Sequence, residues 1–468
     1  MDLDGTLLKT DTLVESLLLL LREPAGAIGA LRAALQGRAQ LKAWVAERVR
    51  LAVEDLPLNQ ALVDWLRAER AAGRRVVLVT AAHQRVAERI AAHVGLFDEV
   101  MASDDAVNLK GKAKAAALVA RYGARGFDYA GDATVDLAVW REARQAIVVG
   151  GPRLQRAAAR LTTLGPVFPP EAPWRALLRA LRLHQWVKNL LILVPLLAAH
   201  QIGDAAALVQ AGLAFLAFGL TASAVYLIND LLDLPDDRRH PSKCRRPFAA
   251  GSLPLLWGAV LVPALLAAAL TISLLSLPGL FLAVLALYFV LTAAYSLRLK
   301  RMPIIDVLTL AGLYTLRVIA GAAAILIPPS FWLLAFSIFI FLSLALAKRH
   351  TELRMLRERG ELTASGRGWH VEDLSLVQSL GIAAGLSSVQ VLALYIDSAA
   401  ARKLYATPEA LWLVCPLLLY WICRLWFKAH RGKMHDDPVV FALRDRISLL
   451  VGVLTVAVTV MATLGWRA

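Results

Sequence analysis

Long apolar stretches in the second half of the chain constrain its fold most strongly. After about Arg182 whole windows carry almost no charge, whereas charged residues are interspersed throughout the part before it. Windows of about 20 apolar residues are long enough to cross a bilayer as helices. A mean hydropathy of +0.58 and a net charge of +15 agree with a membrane protein that has basic loops. We therefore predict a soluble domain (1–164), a linker (165–174, GPVFPPEAPW) and a membrane domain (175–468).

The apolar windows predict an all-α bundle of about nine membrane helices. We place them near 186–200, 206–228, 252–274, 277–295, 304–326, 330–347, 376–398, 409–426 and 446–465. With the N-terminus inside, the loops after the even-numbered helices are basic, and the opposite loops carry no lysine or arginine except Arg402 and Lys403. The positive-inside rule therefore predicts that all candidate site residues face the cytoplasm.

The start of the chain shows no secretory signal, because Asp2 and Asp4 stand where a basic segment is usual. The chain has three cysteines, Cys244, Cys415 and Cys423, with neither metal-ligand spacing nor a disulfide framework. We therefore expect the N-terminal domain to stay in the cytoplasm.

The soluble part alternates short hydrophobic strands with helices, which predicts an α/β fold with a parallel sheet. Ligands of such sheets lie at the carboxyl ends of the strands, which brings together Asp2, Asp4, Thr80 and Asp132. A carboxylate can attack phosphorus, a second acid can protonate the leaving group, and Thr and Lys can hold phosphoryl oxygens. An aspartate such as Asp132 can also bind Mg²⁺.

These residues resemble the four motifs of the haloacid dehalogenase (HAD) phosphatase superfamily, over about the first 150 residues. The motifs are DxDGT at the start, a strand-terminal Thr80, a lysine, and GDxxxD ending at Asp136. The resemblance implies a Rossmann-like sheet with a helical cap at about 11–72. It implies these roles: Asp2 as nucleophile, Asp4 as acid/base, and Thr80 and Lys114 as phosphate holders, with Lys110 and Lys112 as alternatives to Lys114. The implied Mg²⁺ ligands are Asp2, Asp4 and Asp132, with Asp136 as a further candidate.

The N-terminal motif departs from the family in one respect, since only Met1 precedes Asp2 where a buried strand is expected. Either translation starts upstream or the sheet lacks most of a central strand. Site residues need rigid support, so an inactive, structural domain remains the alternative.

An acidic and basic segment, NDLLDLPDDRRHPSKCRRPFAAG (229–251), follows the second apolar window. Asp230, Asp233 and Asp237 share one helical face, and several carboxylates on one face suit Mg²⁺ with a bound diphosphate. Donors suited to phosphate oxygens follow: Arg238, Arg239, His240, Lys243, Arg245 and Arg246. The alternative is a charge cluster that contacts lipid headgroups.

Further polar candidates flank or interrupt the apolar windows. Lys188 opens the first window, and Tyr295, Lys300, Asp306 and Arg317 follow the fourth. Charges within membrane helices are functional candidates by default, although an internal ion pair is the alternative for Asp306 and Arg317. Three residues at the end of the sixth window are expected to be interfacial anchors: Lys348, Arg349 and Glu352.

The second half resembles the UbiA superfamily of intramembrane prenyltransferases over roughly 180–465. The motifs are NDxxDxxxDRxHPxKxxRPxAAG, YSxxLK and Asp306, and HQWVKNLLILVPLL and LRVIAG are similar to the branch represented by decaprenyl-phosphate phosphoribosyltransferase. Leu310 stands where aromatic prenyltransferases usually carry a second acid. Pro235 leaves open whether the helix ends before Asp237.

The resemblance implies transfer of phosphoribose from phosphoribosyl pyrophosphate to a polyprenyl phosphate in a bacterial-type inner membrane. It implies metal binding and catalysis by Asp230 and Asp233 with Asp237, a metal shell oriented by Asn229, and substrate binding by Lys188, Arg238, His240, Lys243, Arg246, Tyr295, Lys300, Asp306 and Arg317. The HAD-like domain would remove the terminal phosphate of the product. We expect no nucleic-acid partner; a homo-oligomer and the lipid length remain open.

Two other hypotheses remain. One is an aromatic or quinone prenyltransferase that uses a polyprenyl diphosphate, with a HAD domain of separate or lost activity. The other is a membrane scaffold whose acidic segment binds a cation for structural reasons.

Overall fold

The computed structural model describes residues 1–20, 24–104, 108–363, 367–434 and 438–465. The chain divides into two compact units, of which the first comprises 1–181 with 226–263 and the second 182–225 with 264–468. The acidic segment thus belongs to the same unit as the N-terminal residues. The segment predicted as a linker begins inside the last strand of that unit.

The helices of residues 1–181 begin with a group of four before the first strand. They are α1 (Thr12–Leu20), α2 (Pro24–Leu35), α3 (Arg38–Arg48), α4 (Gln60–Ala71), α5 (Gln84–Val94), α6 (Lys112–Tyr122), α7 (Leu137–Glu142), α8 (Pro152–Ala159) and α9 (Pro173–Leu181).

The helices of the second half are mostly long and apolar. They are α10 (Val194–Ala198), α11 (Ala205–Leu232), α12 (Leu234–Arg239), α13 (Leu255–Ser276), α14 (Gly279–Leu297), α15 (Ile305–Ala324), α16 (Phe331–Glu358), α17 (Leu374–Ile396), α18 (Ala399–Leu404), α19 (Val414–His430), α20 (Pro438–Arg444) and α21 (Arg446–Leu464).

Parallel strands form the centre of the N-terminal part, as predicted. They are β1 (Val77–His83), β2 (Glu99–Ser103), β3 (Asp128–Gly131), β4 (Gln145–Val148) and β5 (Thr163–Val167). β1 pairs with β2, and β3, β4 and β5 form a second parallel sheet.

The start of the chain lies between the two sheets. Val79 donates its backbone N–H to the Met1 carbonyl (2.8 Å), and Asp2 donates to the Ala130 carbonyl (2.9 Å). Met1 and Asp2 thus hydrogen-bond to β1 on one side and β3 on the other. These bonds place the Asp2 side chain at the carboxyl ends of both strands.

Apolar residues on the strands and flanking helices form the core of this part. Leu3 and Leu78 are fully buried, and α4 contributes Leu62 and Leu66, four positions apart on one helical face. A smaller cluster around Val45 joins α1 and α3. The segment predicted as a cap therefore consists of helices inserted between the first motif and β1.

The structure contains eight helices long and apolar enough to cross a membrane, counted over the part of the chain that it describes. They correspond to the second through ninth predicted windows. The first window, 186–200, differs: it forms a 3₁₀ segment, Leu183–Leu193, followed by the short α10. Pro195 lies in the first turn of α10, where a missing backbone N–H is tolerated.

Small residues allow the 3₁₀ segment to pack closely on α15. A Cβ atom at Gly321 would lie 1.9 Å from the Ile192 carbonyl oxygen. Close backbone approach at small residues is typical of membrane helix interfaces. This contact holds the polar residues of the 3₁₀ segment against α15.

Candidate active sites

The first candidate site is built around Asp2 at the carboxyl end of the N-terminal sheet. The Lys114 ammonium, from the first turn of α6, lies 2.8 Å from Asp2 Oδ2 and donates to the Tyr129 hydroxyl at 2.9 Å. That hydroxyl donates to Asp136 Oδ1 at 3.1 Å. Of the lysines considered, Lys114 is the one in direct contact with the expected nucleophile; Lys110 is exposed and only lines the cavity.

Three carboxylates converge beside Lys114. Oxygens of Asp2, Asp132 and Asp136 lie within 4.8 Å of one another, the spacing of ligands around one metal ion. Gly5, with φ +75°, permits this arrangement, since a Cβ atom there would lie 2.2 Å from Asp132 Oδ2. Hard oxygen donors at this spacing suit Mg²⁺.

Asp4 lies outside this group of carboxylates. Its oxygens accept hydrogen bonds from the Thr12 backbone N–H (2.9 Å) and hydroxyl (3.3 Å). Burial, followed by the neighbouring Asp11 carboxylate, raises the pKa of Asp4 to about 8. A carboxyl group that is protonated near neutral pH is suited to act as a general acid.

Asp132 is partly buried and close to other acids, with Thr6 donating to its Oδ1 at 3.0 Å. Burial, then the Asp136 carboxylate, raises the pKa of Asp132 to about 7. A bound cation would favour the ionised form of such a cluster.

A cavity of about 620 Å³ adjoins these residues. Its lining includes Asp2, Asp4, Thr80, Lys114 and Asp132. The structure therefore brings together the residues that were expected at one edge of the sheet. Lys42 and Asn108 also line the cavity, as do three residues outside the N-terminal segment: Pro254, Leu255 and Leu256.

The second candidate site is the acidic segment between α11 and α13. Helix α11 ends before Asp233, and α12 begins with Pro235 in its first turn. Backbone hydrogen bonds nevertheless continue at helical spacing, from Asp233 to the Asn229 carbonyl and from Asp237 to the Asp233 carbonyl, each 2.8 Å. The interruption at Pro235 therefore does not displace Asp237 from the face it was expected to share with Asp230.

Arg246 bridges the two buried acids of this segment. Its Nη1 lies 3.1 Å from Asp230 Oδ1 and 2.6 Å from Asp237 Oδ2, and both aspartates are 2 % exposed. Burial raises the pKa of Asp237, an effect that Arg246 opposes. Unlike the Asp2 cluster, these aspartates with Asp233 do not form a group of oxygens within 4.8 Å in the ranges described.

The basic residues of the segment divide into different environments. Arg238 makes two hydrogen bonds to the Glu15 carboxylate of α1, and both side chains are below 10 % exposure, at 7 % and 4 %. His240 Nδ1 accepts from the Ser242 backbone N–H at 3.2 Å, whereas Lys243 is exposed. The guanidinium of Arg238, expected at the substrate, is thus engaged by the N-terminal helices.

Asp306 occupies a closed network in the second unit. Its Oδ2 lies 2.6 Å from Arg349 Nη2 and accepts from Trp369 Nε1 at 2.9 Å, while Tyr295 donates to its Oδ1 at 2.8 Å. Asp306 and Arg349 are fully buried, and Arg349 also pairs with Glu352. For Asp306, the network thus agrees with the alternative considered in the sequence analysis, an internal ion pair, and its cationic partner is Arg349. The expectation that Arg349 is an interfacial anchor is wrong, because other helices cover it completely.

Arg317 lies in a different, aromatic environment of the same unit. Its guanidinium is about 5 Å from the ring centres of Phe218 (5.3 Å), Tyr288 (5.0 Å) and Tyr314 (5.5 Å). It donates to Asn189 Oδ1 (3.0 Å) and the Tyr288 hydroxyl (3.2 Å). Within the described part of the chain, its hydrogen bonds thus go to neutral acceptors.

Of the other members of this polar group, Lys188 was predicted from the sequence, whereas Asn189, Tyr288 and Tyr314 were not. Lys188 Nζ lies 5.9 Å from the Tyr314 ring centre, and both Lys188 and Asn189 are buried. Tyr288 and Tyr314 stand in apolar windows, where a tyrosine has no distinguishing neighbour in sequence. Lys300 lies in the 3₁₀ turn that follows α14.

The N-terminal part is an α/β domain in which carboxylates and a lysine converge. The rest of the chain is a bundle of membrane helices with an acidic segment between two of them. Together these features define a multi-pass membrane enzyme with a hydrolase-like domain. Residues 190–444 match the sequence profile of the UbiA prenyltransferase family, and residues 1–141 that of haloacid dehalogenase-like hydrolases. The chain belongs to the UbiA prenyltransferase family and carries a HAD-like domain at its N-terminus.

Relatives that match nearly all of this chain, and others that match about 60% of it, agree with this assignment. "Uncharacterized protein y4nM" of Sinorhizobium fredii is 38% identical over 98% of this chain and 90% of its own length. "Nodulation protein NoeC" of Azorhizobium caulinodans is 37% identical over 59% of this chain and 90% of its own length. Decaprenyl-phosphate phosphoribosyltransferase of Mycolicibacterium smegmatis is 32% identical over 60% of this chain and 89% of its own length.

Proposed function

We propose that the chain transfers phosphoribose from phosphoribosyl pyrophosphate to a polyprenyl phosphate and then removes the terminal phosphate of the product. The observation that carries the proposal is the pairing of two buried acids of the acidic segment, Asp230 and Asp237, with the partly exposed Arg246. The similarity to decaprenyl-phosphate phosphoribosyltransferase supports this choice of substrates.

Metal binding in the transferase follows from the carboxylates of the acidic segment. Asp230, Asp233 and Asp237 would hold Mg²⁺, with Arg246 moving from the acids to the donor's phosphates. When bound, Mg²⁺ at either site would neutralise charge on phosphate oxygens in the transition state. Asn229, one position before Asp230, would orient the ligands.

Group transfer would proceed at the anomeric carbon of the ribose. The bond from this carbon to the pyrophosphate oxygen breaks, and a lipid phosphate oxygen forms the new bond. The lipid phosphate is already ionised, so its attack needs no base, and His240 receives no proton-transfer role. Arg317 and Lys188 are buried cations suited to the acceptor's phosphate, since the guanidinium makes no carboxylate pair in the described residues.

Hydrolysis would follow at the HAD-like site. The Asp2 carboxylate attacks phosphorus, and the ribose oxygen leaves with a proton from Asp4. Lys114 and Thr80 hold the phosphoryl oxygens, and water then hydrolyses the aspartyl phosphate. Removing the phosphate makes the coupled sequence practically irreversible.

Both steps would take place on the cytoplasmic side of a bacterial inner membrane. The basic loops that follow α11, α14, α16 and α19 support this orientation by the positive-inside rule. Phosphoribosyl pyrophosphate is a charged, soluble donor, which agrees with a site open to the cytoplasm.

A comparison of donors tests the transferase. The purified full chain is incubated with Mg²⁺, a polyprenyl phosphate and labelled phosphoribosyl pyrophosphate, and in parallel with a polyprenyl diphosphate and 4-hydroxybenzoate as an aromatic acceptor. We expect label in the lipid fraction from the first mixture alone. Consumption of the diphosphate with no ribosyl transfer would instead support an aromatic prenyltransferase, and no reaction in either would favour a scaffold.

A further inference from the structure

A buried ion pair joins the N-terminal residues to the acidic segment, within the first unit of the chain. Arg238 Nη2 lies 2.5 Å from Glu15 Oε1, and Arg238 Nη1 lies 3.1 Å from Glu15 Oε2. Because both side chains are almost fully enclosed, solvent screens the pair little. Two parallel contacts fix the direction of the carboxylate as well as its position. Neither transfer nor hydrolysis, as proposed above, uses this pair.

Glu15 also holds the loop that carries Asp4, the expected general acid. We call residues 4–12 the acid loop. The Thr10 hydroxyl donates to Glu15 Oε1 at 2.6 Å, and the Thr10 carbonyl accepts from the Gly5 backbone N–H at 3.3 Å. A chain of contacts therefore runs from Arg238 through Glu15 and Thr10 to the residue next to Asp4.

The far end of the acid loop begins helix α1. Thr12, the first residue of α1, donates its backbone N–H (2.9 Å) and its hydroxyl (3.3 Å) to the two oxygens of Asp4. Glu15 lies in the same first turn of α1. A shift of this turn would therefore move the donors that orient the Asp4 carboxyl group.

A second contact holds the acid loop against the acidic segment. Gly251, with φ +67°, lies close to Lys9: a Cβ atom at Gly251 would be 2.5 Å from Lys9 Cβ and 2.8 Å from the Lys9 carbonyl oxygen. The acid loop thus contacts the end of the acidic segment directly, and Arg238 holds the loop through Glu15.

We propose that Arg238 is a positioning residue for hydrolysis: by holding Glu15, it keeps the acid loop and Asp4 where the leaving oxygen can be protonated. The proposal rests on the phosphatase activity proposed above. In the step concerned, Asp2 attacks phosphorus, the P–O bond to the leaving group breaks, and the leaving oxygen takes the proton of Asp4. The acidic segment thereby serves hydrolysis as well as transfer.

Two monoesters of similar size separate this role from a general structural one. Benzyl phosphate releases an alkoxide that needs a proton, whereas p-nitrophenyl phosphate releases a stable anion that needs none. The purified full chain with Mg²⁺ is given each ester, and kcat/KM is measured. Asp4→Asn should lower kcat/KM for benzyl phosphate by about 100-fold and change that for p-nitrophenyl phosphate by less than about threefold.

Variants of the ion pair should reproduce this pattern at smaller size. Arg238→Met and Glu15→Gln should each lose about tenfold for benzyl phosphate and little for p-nitrophenyl phosphate, because a misplaced acid protonates less effectively. Arg238→Lys and Glu15→Asp keep both charges and should lose about threefold. Asp55→Asn is the matched control, since Asp55 is bonded to the neighbouring Arg239 at 2.7 Å, and it should keep both wild-type values.

The outcomes separate the positioning role from the phosphatase itself. Equal losses for the two esters in the variants of Arg238 and Glu15, or no loss for either, would overturn the positioning role while phosphatase activity stands. If Arg238→Met does not fold, Arg238→Lys and Glu15→Asp decide in the same way. Hydrolysis of neither ester by wild type would overturn the phosphatase, and this proposal with it.

Discussion

The Asp2 cluster and the Asp306 network use the same residue types in opposite ways. Around Asp2, carboxylates converge within 4.8 Å beside one ammonium and border a cavity. Around Asp306, the carboxylate is fully buried and its oxygens are bonded to Arg349, Trp369 and Tyr295. An excess of acid facing a cavity can accept a cation and a phosphate, whereas a balanced, enclosed pair holds helices together.

The acidic segment is intermediate between these two cases. Arg246 balances Asp230 and Asp237, as in a structural pair, yet the arginine is about one quarter exposed, at 27%. A partly exposed partner can exchange for a metal and a donor phosphate without burying a lone charge. The three clusters therefore differ in how many carboxylates stand beside one cation and in whether the group borders a cavity, is partly exposed or is enclosed.

Removing Arg349 should break the closed network and give the largest loss of stability. Arg349→Met leaves the Asp306 carboxylate buried without its cation, which costs about 3–5 kcal/mol. Thermal unfolding of the protein in detergent measures the loss, and the double variant Arg349→Met/Asp306→Asn should recover most of it. An unchanged midpoint for the single variant would show that Asp306 is not held by this pair.

Changing an acid of the second site should affect catalysis more than stability. Asp230→Asn should lower phosphoribosyl transfer by about 100-fold, since a metal ligand contributes several kcal/mol to the transition state. Hydrolysis by the HAD-like site should persist, and Asp236→Asn, an exposed neighbour, should behave as wild type. Equal losses in both aspartate variants would contradict the assignment.

Substitutions at two arginines of the acidic segment should differ in their effect on the KM for phosphoribosyl pyrophosphate. Arg246→Met should raise the KM for phosphoribosyl pyrophosphate about tenfold, because a charge-assisted contact is lost. Arg238→Met should leave that KM nearly constant, since its guanidinium is bonded to Glu15. The opposite ranking would show that Arg238 leaves Glu15 and serves the donor.

The smallest effect concerns the pH dependence of the N-terminal domain without metal. Burial raises the pKa of Asp132 to about 7 and that of Asp4 to about 8, so the folded state binds these protons more tightly than the unfolded chain. This contribution is complete below the unfolded pKa near 3.8 and is lost as the pH rises through 7 and 8.

Hydrogen exchange of the β3 amides, corrected for intrinsic rates, measures this effect. Between pH 6 and pH 9 the protection of metal-free protein should fall, and Mg²⁺ should restore it by binding the ionised acids. Protection that rises over this range would contradict the sign of the shifts.

Sequence motifs predicted the residues of the Asp2 site because a parallel sheet brings the ends of its strands to one edge. They did not show that Asp136, rather than Asp4, completes the close group of carboxylates, since both stand near other acids in sequence. Likewise, the apolar windows located the long membrane helices but did not show the 3₁₀ conformation of 186–193. That conformation depends on close packing at Gly321, far away in the chain.

Pairings between distant segments were also beyond the sequence. The Asp306–Arg349 pair and the Glu15–Arg238 pair join residues with no common motif. A charge in a membrane helix signals a function or a structural pair equally, and only the partner decides between them. The aromatic rings around Arg317 were likewise not predicted from the sequence.

Mass analysis of the lipid product tests the central claim, two successive steps on one chain, most directly. Wild type and Asp2→Asn are each incubated with Mg²⁺, a polyprenyl phosphate and phosphoribosyl pyrophosphate. We predict polyprenyl phosphoribose without the terminal phosphate from wild type, and the phosphorylated lipid from Asp2→Asn at an equal transfer rate. Phosphorylated lipid from both proteins, or no ribosylated lipid from either, would contradict the account.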